Sequence, residues 1–365
     1  MLLYVGMTIW VFIILLMGLR PDAIKSAECW PDFPDNSVAR SNKRIVTLLT
    51  MLTFLLFWFL TAFRSFQIGN DTTTYLYYFN IYSKGIDKSR TFEIGYQYLN
   101  YFIGKITTNS HYFIIIIATI MYGGVVWYIY KYSKNISVSL CLFFCYFFSM
   151  FTSIFRQGIA MVIVLYGYNR LKEGKKIPAA LLFLLAMTFH TTAIVSFLLF
   201  LNTDFLKKKW FVLGMTAICG AISNTGILNT IVGIVVPRYV HYFESRYAST
   251  GWLAVSYSLI VYLIWYFLIN KSVDDENKKD RIVVTNFTFL LIFTAFGFSV
   301  NLFTRAGEYF LLIALIEIPN MLYRGKVKHY RLWLFVLCSM LLIMFIVILL
   351  YRPGWNHLYP YKFWS

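Results

Sequence analysis

The chain has 365 residues, of which 59% are apolar and only 13% charged, and its mean hydropathy is +0.64. Apolar runs recur along its whole length, and roughly 20 such residues cross a bilayer as a helix. The sequence therefore predicts an all-α polytopic membrane protein with one transmembrane domain over residues 1–365, and it excludes a soluble sugar-nucleotide enzyme. The net charge of +17 requires no nucleic-acid partner, because the basic residues cluster in short loops between apolar runs.

We predict about twelve spans, some of them short or re-entrant. They cover residues 1–19, 45–63, 112–130, 136–154, 157–171, 177–189, 191–204, 210–223, 251–269, 282–300, 306–323 and 332–350. The first run has no small-residue cleavage site and precedes Arg20, which predicts a retained helix. If the loop at residues 20–44 is placed inside, every second loop after it is inside as well. These inner loops then hold 22 Lys and Arg residues and the outer segments hold 11, so the positive-inside rule puts both termini outside.

Residues 177–206 are predicted as two short helices with His190 at the turn between them. At 1.5 Å per residue each would be about 22 Å long, which is short of the roughly 30 Å hydrocarbon core. One long tilted span would fit this length, but it would put Lys207, Lys208 and Lys209 outside. A turn at membrane depth requires cover by protein or a watery cavity.

Two outer segments are long enough to have structure of their own, residues 64–111 and 224–250. In the first, residues 92–106 predict an amphipathic helix that lies in or dips into the interface. Its polar stripe consists of Glu93, Gln97, Asn100 and Gly104. The second contains charged residues among tyrosines, namely Arg238, Glu244 and Arg246.

Arg156 and Arg305 are the strongest candidate binding residues, because each interrupts a long apolar stretch. A guanidinium group holds phosphate oxygens bidentately and stays charged at any relevant pH. The alternative is an interfacial arginine whose head group reaches the lipid phosphates. Gln157, which follows Arg156 directly, favours a lined pocket over a simple helix end.

Three further residues are candidates for proton transfer. Glu93 projects from the polar stripe, Asp71 follows the second span, and His190 is flanked by threonines. A carboxylate at a partly dry interface can accept a proton from a hydroxyl group. The alternatives are a hydrogen-bonded core histidine and a carboxylate paired with Arg64 or Arg90.

No metal or other cofactor is expected. Cys141 and Cys145 share a helix face, but no histidine or further cysteine accompanies them at ligand spacing. Walker loops, nucleotide-binding glycine motifs, HExxH and nucleophile elbows are absent from the sequence. Any enzyme of this composition would take its donor from the membrane.

From about residue 45 to its end, the chain resembles the EpsG-like branch of the bacterial Wzy-type polysaccharide polymerases. The ordered pieces that carry the resemblance are Arg64 with Ile68-Gly69-Asn70-Asp71 and Tyr75, Glu93-Ile94-Gly95-Tyr96 with Leu99-Asn100, Arg156-Gln157-Gly158-Ile159-Ala160, Phe189-His190-Thr191-Thr192-Ala193-Ile194, Arg305, and Tyr359-Pro360-Tyr361. The resemblance implies a metal-independent glycosyltransferase of GT-C-like architecture. It would join O-antigen, capsule or exopolysaccharide repeat units carried on undecaprenyl diphosphate, as a multi-pass protein of the bacterial plasma membrane whose active site faces the exterior.

The resemblance also suggests roles and partners. Arg156 and Arg305, helped by Arg64 or His190, would hold the diphosphate, and Glu93, or else Asp71 or His190, would accept the proton. Further substrate contacts are expected at Gln157, Tyr96 and Tyr361. The partners implied are lipid-linked glycans as donor and acceptor, membrane lipid, and a chain-length regulator or flippase of the same pathway.

Two other functions fit parts of the sequence. A ligase that moves finished glycan onto lipid A needs the same grip on a diphosphate. A transporter or flippase would need polar groups on both halves of a path and inverted repeats that meet at the midplane. The ionisable groups inside apolar runs gather at one face here, and no repeat is detected, which favours an enzyme.

Overall fold

The structure is a computed structural model, and the part of the chain that it describes is mostly helical. It describes residues 1–19, 37–86, 92–201, 204–223, 225, 227, 230, 234, 252–273, 277–298, 301–323, 327–352, 354 and 358–364. These residues contain no β-strand, only an isolated backbone bridge between Arg64 and Phe363. Arg90 and most of the predicted outer segment 224–250, with Arg238, Glu244 and Arg246, lie outside the described residues.

In the first half of the chain, helices form where the long apolar runs occur. They are α1 (Leu2–Gly18), α2 (Ser37–Ala62), α3 (Thr72–Tyr82), α4 (Ile94–Ile106), α5 (Ser110–Tyr132), α6 (Ile136–Phe151, with a π-helical turn at Phe144–Phe148) and α7 (Phe155–Lys172). Asn109 and Asn135 cap α5 and α6, each by accepting a hydrogen bond from a backbone N–H of the first turn. Gly174, at φ +79°, follows the end of α7 in the left-handed conformation typical of helix C-termini.

The second half continues with helices of similar character. They are α8 (Lys176–Phe189), a 3₁₀ helix (Thr191–Phe200), a short 3₁₀ turn (Asp204–Lys207), α9 (Lys209–Ser223), α10 (Trp252–Asn270), α11 (Lys278–Phe296), α12 (Asn301–Tyr323) and α13 (Tyr330–Tyr351). Each of the twelve predicted apolar segments overlaps a helix. However, α11 and α12 begin before the predicted residues 282 and 306, so Arg305 lies inside α12 and not ahead of it.

Among the described residues, three helices are long and apolar enough to cross a membrane: Arg44–Ala62, Ser110–Tyr132 and Tyr330–Tyr351. Shorter apolar helices accompany them, including Leu2–Gly18 and Ile136–Phe151. Large apolar side chains face outward on these elements, for example Leu48 and Ile343. Outward apolar surface on apolar helices is what a lipid solvent requires, so this is a helical membrane protein. The number of spans stays a prediction.

The stretch 177–206 is not one continuous helix. α8 ends at Phe189, and the chain continues after His190 as a ten-residue 3₁₀ helix. The structure therefore has the predicted break at His190 and not the alternative of one unbroken helix. The 3₁₀ form rises about 2.0 Å per residue, so these ten residues extend roughly 20 Å, further than an α-helix of the same length.

The chain divides into two compact units. The first comprises Met1–Ile163, Leu185–Thr191 and Lys328–Ser365, and the second comprises Val164–Leu184 and Thr192–Val327. The single domain predicted over residues 1–365 stays a prediction.

The first unit has an aromatic core where α2, α5 and α6 meet. Phe57 lies 5.5 Å from Phe144 and 5.4 Å from Phe148 between ring centroids, and Tyr122 contacts Phe151 edge-on. These side chains are almost completely buried. Such aromatic packing gives the unit a rigid interior beneath the loops that follow α2 and α6.

The C-terminal tail of the first unit is pinned to the start of the outer segment 64–111. The backbone N–H of Ser65 donates to the carbonyl of Lys362 at 2.8 Å, and that of Trp364 donates to the carbonyl of Phe63 at 2.9 Å. The Trp364 ring stacks on His111, with 4.8 Å between ring centroids. This tail therefore acts as a strap across the end of α2.

The second unit is centred on the α11–α12 pair. Asn286, fully buried in α11, donates to the carbonyl of Phe310 in α12 at 2.9 Å. A partly buried ion pair joins Lys172 of α7 to Glu317 of α12, with 2.5 Å between Nζ and Oε1. Polar contacts between apolar helices fix their register, since an unpaired polar group in this environment is costly.

The polar stripe of α4 points into the protein. Gln97 and Asn100 are fully buried, and Gly104 packs against Ser83. The exposed face of α4 is apolar apart from Lys105 in its last turn, and it includes Ile94, Tyr98, Phe102 and Ile106. α4 thus keeps its hydrogen-bonding groups inside and presents hydrocarbon and aromatic surface outward, as an interfacial helix does.

Candidate active site

The break between α8 and the 3₁₀ helix is where the chemically active side chains gather. His190 is the one residue between the two elements, and its backbone N–H still donates to the carbonyl of Ala186 at 3.0 Å. Thr191 opens the 3₁₀ helix, so its own N–H has no partner within that helix. That N–H donates instead to Oε1 of Glu93 at 3.1 Å, and the Thr191 hydroxyl donates to the same oxygen at 3.2 Å.

Glu93 occupies the N-cap position of α4 but does not cap it. Its backbone is extended, and its side chain makes no hydrogen bond to the first turn of the helix. The carboxylate reaches the break instead, where Nδ1 of His190 lies 3.4 Å from Oε1. A carboxylate at a helix N-terminus is also favoured by the helix dipole, so this position suits an ionised group.

Gly95 explains how α4 comes so close to the break. A Cβ atom at this position would lie 2.2 Å from Oγ1 and 2.8 Å from the carbonyl oxygen of Thr188. Both distances are well inside van der Waals contact, so only glycine permits this approach. Gly95 therefore brings the start of α4, with Glu93, against the end of α8.

Arg156 completes the cluster from the start of α7. Its Nη1 donates to Oε2 of Glu93, and its guanidinium lies over the ring of Phe92, 4.0 Å from the centroid. The side chains of Arg156, Glu93 and His190 are 21%, 17% and 14% exposed, so the cluster is partly open. Nε of Arg156 is buried and makes no hydrogen bond to any described residue, which leaves a donor unsatisfied.

The surroundings keep Glu93 ionised. Burial by itself would raise the pKa of its carboxyl group, but the adjacent His190 ring, the positive charge of Arg156 and the Thr191 N–H outweigh burial and lower that pKa. Because the pKa of Glu93 is lower in the folded state than in the unfolded state, these contacts stabilise the folded protein fully at any pH above the unfolded-state pKa. This stabilisation is lost as the pH falls through the folded-state pKa. In this state Glu93 is a weak base and a strong anchor for Arg156.

Arg64 is fully buried and serves as a hub for backbone carbonyls. Its guanidinium donates to Thr61 O, to Ile68 O at 3.2 Å and to Thr152 O at 2.8 Å. Burial lowers its pKa to about 10, which leaves it charged near neutral pH. These contacts favour a scaffolding role over the diphosphate contact that the resemblance implies, because its donors are already directed into the protein.

The predicted motif around Asp71 is fixed to the loop that leads to Arg156. Gly69 has φ +87°, and a Cβ there would lie 2.3 Å from Thr152 O, so the turn requires glycine. The N–H of Asn70 donates to Ser153 Oγ at 3.0 Å. Asp71 itself precedes α3, and its side chain makes no capping bond there.

Three of the predicted substrate contacts are not exposed positions. Tyr96 is fully buried within an aromatic cluster, 5.7 Å from Tyr75 between ring centroids, and Gln157 is 2% exposed. Tyr361 is half-buried and donates its hydroxyl to the carbonyl of Leu60 at 2.9 Å. Tyr96 thus packs inside the aromatic cluster and Tyr361 anchors the tail, while the substrate contacts expected at these three residues stay predictions.

Arg305 lies in the first two turns of α12 and belongs to the second unit. Its side chain is half-buried. The described contacts of Glu93, Arg156 and His190 all lie within the first unit.

Three residues of the cluster have roles that the sequence did not indicate. Phe92 lies under the Arg156 guanidinium, Thr191 supplies two donors to Glu93, and Gly95 permits the close approach. Gly95 and Thr191 lie within the motifs that carry the resemblance, which is the signal that pointed to them. Their contacts, like that of Phe92, join segments far apart in the sequence, so no local pattern indicates those contacts.

The helices and this site define an integral membrane protein in which an Arg–Glu ion pair lies beside a histidine at a helix break. Residues 47–363 match the EpsG family, a range that contains every residue of the cluster. The chain belongs to that family, which is associated with Wzy-type polysaccharide polymerases, and so to a group of membrane proteins of polysaccharide biosynthesis. No curated protein and no solved structure matches the chain.

Proposed function

We propose that this protein is a membrane glycosyltransferase that polymerises undecaprenyl-diphosphate-linked oligosaccharide repeat units. The observation that carries the proposal is the partly exposed Arg156 guanidinium, held beside Glu93 and His190 in a chain of the EpsG family. A cation among apolar helices is expensive and usually functional. Its planar fork of donors matches the oxygens of a diphosphate.

The proposal includes the predicted topology, with about twelve spans in a GT-C-like arrangement and both termini outside the bacterial plasma membrane. The segments 64–111 and 224–250 would then lie outside, where the glycan is. The break at His190 would open toward the same side. The product would be O-antigen, capsule or exopolysaccharide.

In the proposed reaction, the growing glycan is the donor, attached through its anomeric carbon to undecaprenyl diphosphate. An acceptor hydroxyl on the next repeat unit attacks that carbon and passes its proton to Glu93, or to His190 beside it. The carbon–oxygen bond to the diphosphate breaks, and undecaprenyl diphosphate leaves. Arg156 stabilises the negative charge that develops on it, an effect that is typically worth on the order of a hundred- to thousandfold in rate.

The remaining predicted residues have supporting places in the proposal. Arg305 is kept as a second cationic contact for the substrate, to be tested by its own alanine variant. Asp71 is kept as the alternative proton acceptor. Arg64 is assigned to holding the loop before Arg156, because its donors go to backbone carbonyls.

The decisive test compares Arg156→Ala with Arg170→Ala. Arg170 lies on the same helix, is 46% exposed and pairs with Glu173, so it is a matched arginine outside the cluster. Each variant is purified in detergent, given a lipid-diphosphate repeat unit and run on a gel for laddering. We expect Arg156→Ala to reduce laddering by about a hundredfold or more and Arg170→Ala to ladder normally. Normal laddering by both would refute the proposal.

The same variant in cells separates a polymerase from a ligase. Single repeat units on the cell surface indicate lost polymerisation, whereas surface glycan that is entirely absent indicates lost ligation. A transporter would instead leave lipid-linked units on the inner leaflet. The proposal requires the first outcome.

A further inference from the structure

The two oxygens of the Glu93 carboxylate face different kinds of donor. Oε2 accepts from the charged guanidinium of Arg156. Oε1 accepts from the backbone N–H and the hydroxyl of Thr191, at 3.1 and 3.2 Å, and lies 3.4 Å from Nδ1 of His190. One oxygen is therefore paired with a cation, and the other is held largely by neutral groups.

These two sets of donors respond differently to an incoming anion. A diphosphate carries more charge than a carboxylate and can bind a guanidinium through two oxygens at once, so it competes well for Arg156. The Thr191 donors interact less strongly with the incoming diphosphate, since they are uncharged and one of them is a backbone N–H fixed at the helix break. They stay with Glu93 when Arg156 changes partner.

We propose that Glu93 occupies Arg156 until a lipid diphosphate displaces it, and that Thr191 is the positioning residue that keeps the freed carboxylate at the helix break. This inference rests on the proposed function, because it takes the diphosphate as the ligand of Arg156. In the resting protein Glu93 is therefore the counter-ion of Arg156, and it becomes a proton acceptor only when the donor is bound.

The exchange couples binding to chemistry. With Arg156 beside it, the pKa of Glu93 is lowered and the carboxylate is a weak base. Once Arg156 binds the diphosphate, its positive charge is shared with that anion, so the pKa of Glu93 rises and its basicity increases. The acceptor hydroxyl then gives its proton to Glu93 as its oxygen bonds to the anomeric carbon and the bond to the diphosphate oxygen breaks.

The unsatisfied Nε of Arg156 supports this exchange. That atom is buried and has no hydrogen-bond partner among the described residues, so the ion pair with Glu93 does not use the full donor set. A ligand with several oxygens can use donors that one carboxylate oxygen leaves unpaired. The resting contact therefore leaves one donor of Arg156 unused.

The first experiment measures binding of geranylgeranyl diphosphate to the purified full-length protein in detergent. Glu93→Gln removes the competing charge, and we expect it to bind the probe roughly tenfold more tightly than the wild type while its laddering is lost. Glu173→Gln is the matched control, a carboxylate paired with Arg170 and Lys175 outside the cluster, and it should bind like the wild type. Arg156→Ala should bind much more weakly.

The outcomes separate the two proposals. If Arg156→Ala binds poorly but Glu93→Gln binds no better than the wild type, the exchange is overturned and the proposed function stands. If Arg156→Ala binds and ladders like the wild type, the proposed function fails and the exchange fails with it. Tighter binding of the probe by Glu93→Gln, with wild-type binding by Glu173→Gln, supports the exchange.

A second experiment tests Thr191 without removing the carboxylate. Thr191→Val keeps the backbone donor but loses the hydroxyl, so Glu93 should become easier to protonate and the acid limb of the kcat profile should move to higher pH. Thr191→Ser should restore the wild-type profile, and Thr216→Val is the control, since that hydroxyl donates to the carbonyl of Val212 within α9. A Thr191→Val protein that is slower at every pH, with an unmoved acid limb, would show a merely structural residue.

Wild-type kinetics provide an independent check. The acid limb of kcat/KM for the donor reports the free protein, where Arg156 lowers the pKa of Glu93, and that of kcat reports the bound complex. The exchange requires the kcat limb to lie at higher pH than the kcat/KM limb. Coincident limbs, or the reverse order, would overturn it.

Discussion

Replacement of Gly95 by alanine should disable the candidate site without removing any of its functional groups. The new Cβ would lie 2.2 Å from Thr188 Oγ1 and 2.8 Å from Thr188 O, whereas ordinary contact begins near 3.4 Å. The carbonyl is backbone and cannot rotate away, so α4 and the end of α8 must separate by about 1 Å. Overpacking of this kind typically costs about 1–3 kcal/mol of stability.

The separation matters more for the chemistry than for the fold. The two bonds from Thr191 to Glu93 are already 3.1 and 3.2 Å, so a further ~1 Å along them exceeds hydrogen-bonding distance. A misplacement of about 1 Å can reduce the rate by roughly a hundredfold. We therefore expect Gly95→Ala to be present in membranes at near-normal abundance but to ladder poorly.

Gly123→Ala is the matched control for this prediction. Gly123 lies within α5, and a Cβ there would meet nothing within 4 Å. Alanine in a helix interior is favoured over glycine by about 0.5–1 kcal/mol, so this variant should melt at the same temperature or higher and ladder normally. Laddering and thermal melting in detergent are compared for the two variants at equal concentration. A Gly95→Ala protein that ladders like Gly123→Ala would refute the role given to the Gly95 contact.

Three further variants test other contacts. Arg156→Lys keeps the charge but not the planar fork, so we expect laddering about tenfold or more below the wild type yet above Arg156→Ala; equal laddering by lysine and arginine would contradict bidentate binding. Glu317→Gln should lower the free energy of unfolding by about 2 kcal/mol in thermal melts, because it leaves Lys172 facing an uncharged partner at a largely buried site. Its control is Glu173→Gln at an exposed pair, which should change the free energy of unfolding by less than about 0.5 kcal/mol. Removal of residues 358–365 deletes four hydrogen bonds of 2.7–2.9 Å to the first unit and should cost roughly 2–6 kcal/mol, seen as a lower melting temperature; an unchanged melt would mean that the tail strap is dispensable.

The positions of the helices could be predicted because they follow from local composition. A run of apolar residues must satisfy its own backbone hydrogen bonds in lipid, and only a helix does so within one segment. The break at His190 was predictable from charge, because one unbroken span over residues 177–206 would fit the length but would put Lys207, Lys208 and Lys209 outside. The early starts of α11 and α12 were not predicted, because polar first turns such as the one capped by Asn277 lie outside the apolar runs.

The candidate site could be predicted only in part. Glu93, Arg156 and His190 were each identified from their residue type within apolar surroundings, but the ion pair joins residues 63 positions apart, and no local pattern encodes that pairing. Tyr96 and Arg64 were predicted as substrate contacts from their place in motifs. Both are fully buried, which their place in the motifs did not indicate, and their substrate contacts stay predictions.

The polar stripe of α4 shows how the lipid surroundings determine which way a side chain faces. In water, a polar stripe on an apolar helix faces outward, but beside lipid the outside is the more apolar phase. Gln97 and Asn100 therefore turn inward, toward the groups that can hydrogen-bond them, and Tyr98 and Phe102 turn outward. The inward turn also determines where Glu93 lies, because it belongs to the same stripe, one turn before Gln97. The stripe that predicted an interfacial helix is thus what directs the carboxylate to Arg156.

A resting partner for Arg156 follows from the cost of an uncompensated charge. A guanidinium that is only 21% exposed would be expensive without a counter-ion, so a protein that binds diphosphate only part of the time needs an anion for the empty state. That anion must bind less well than the ligand, or it would block the site. Glu93 meets both requirements, because it pairs with Arg156 through one oxygen while Thr191 holds the other. A stronger counter-ion, such as a carboxylate bound bidentately by Arg156, would stabilise the empty protein at the expense of its function.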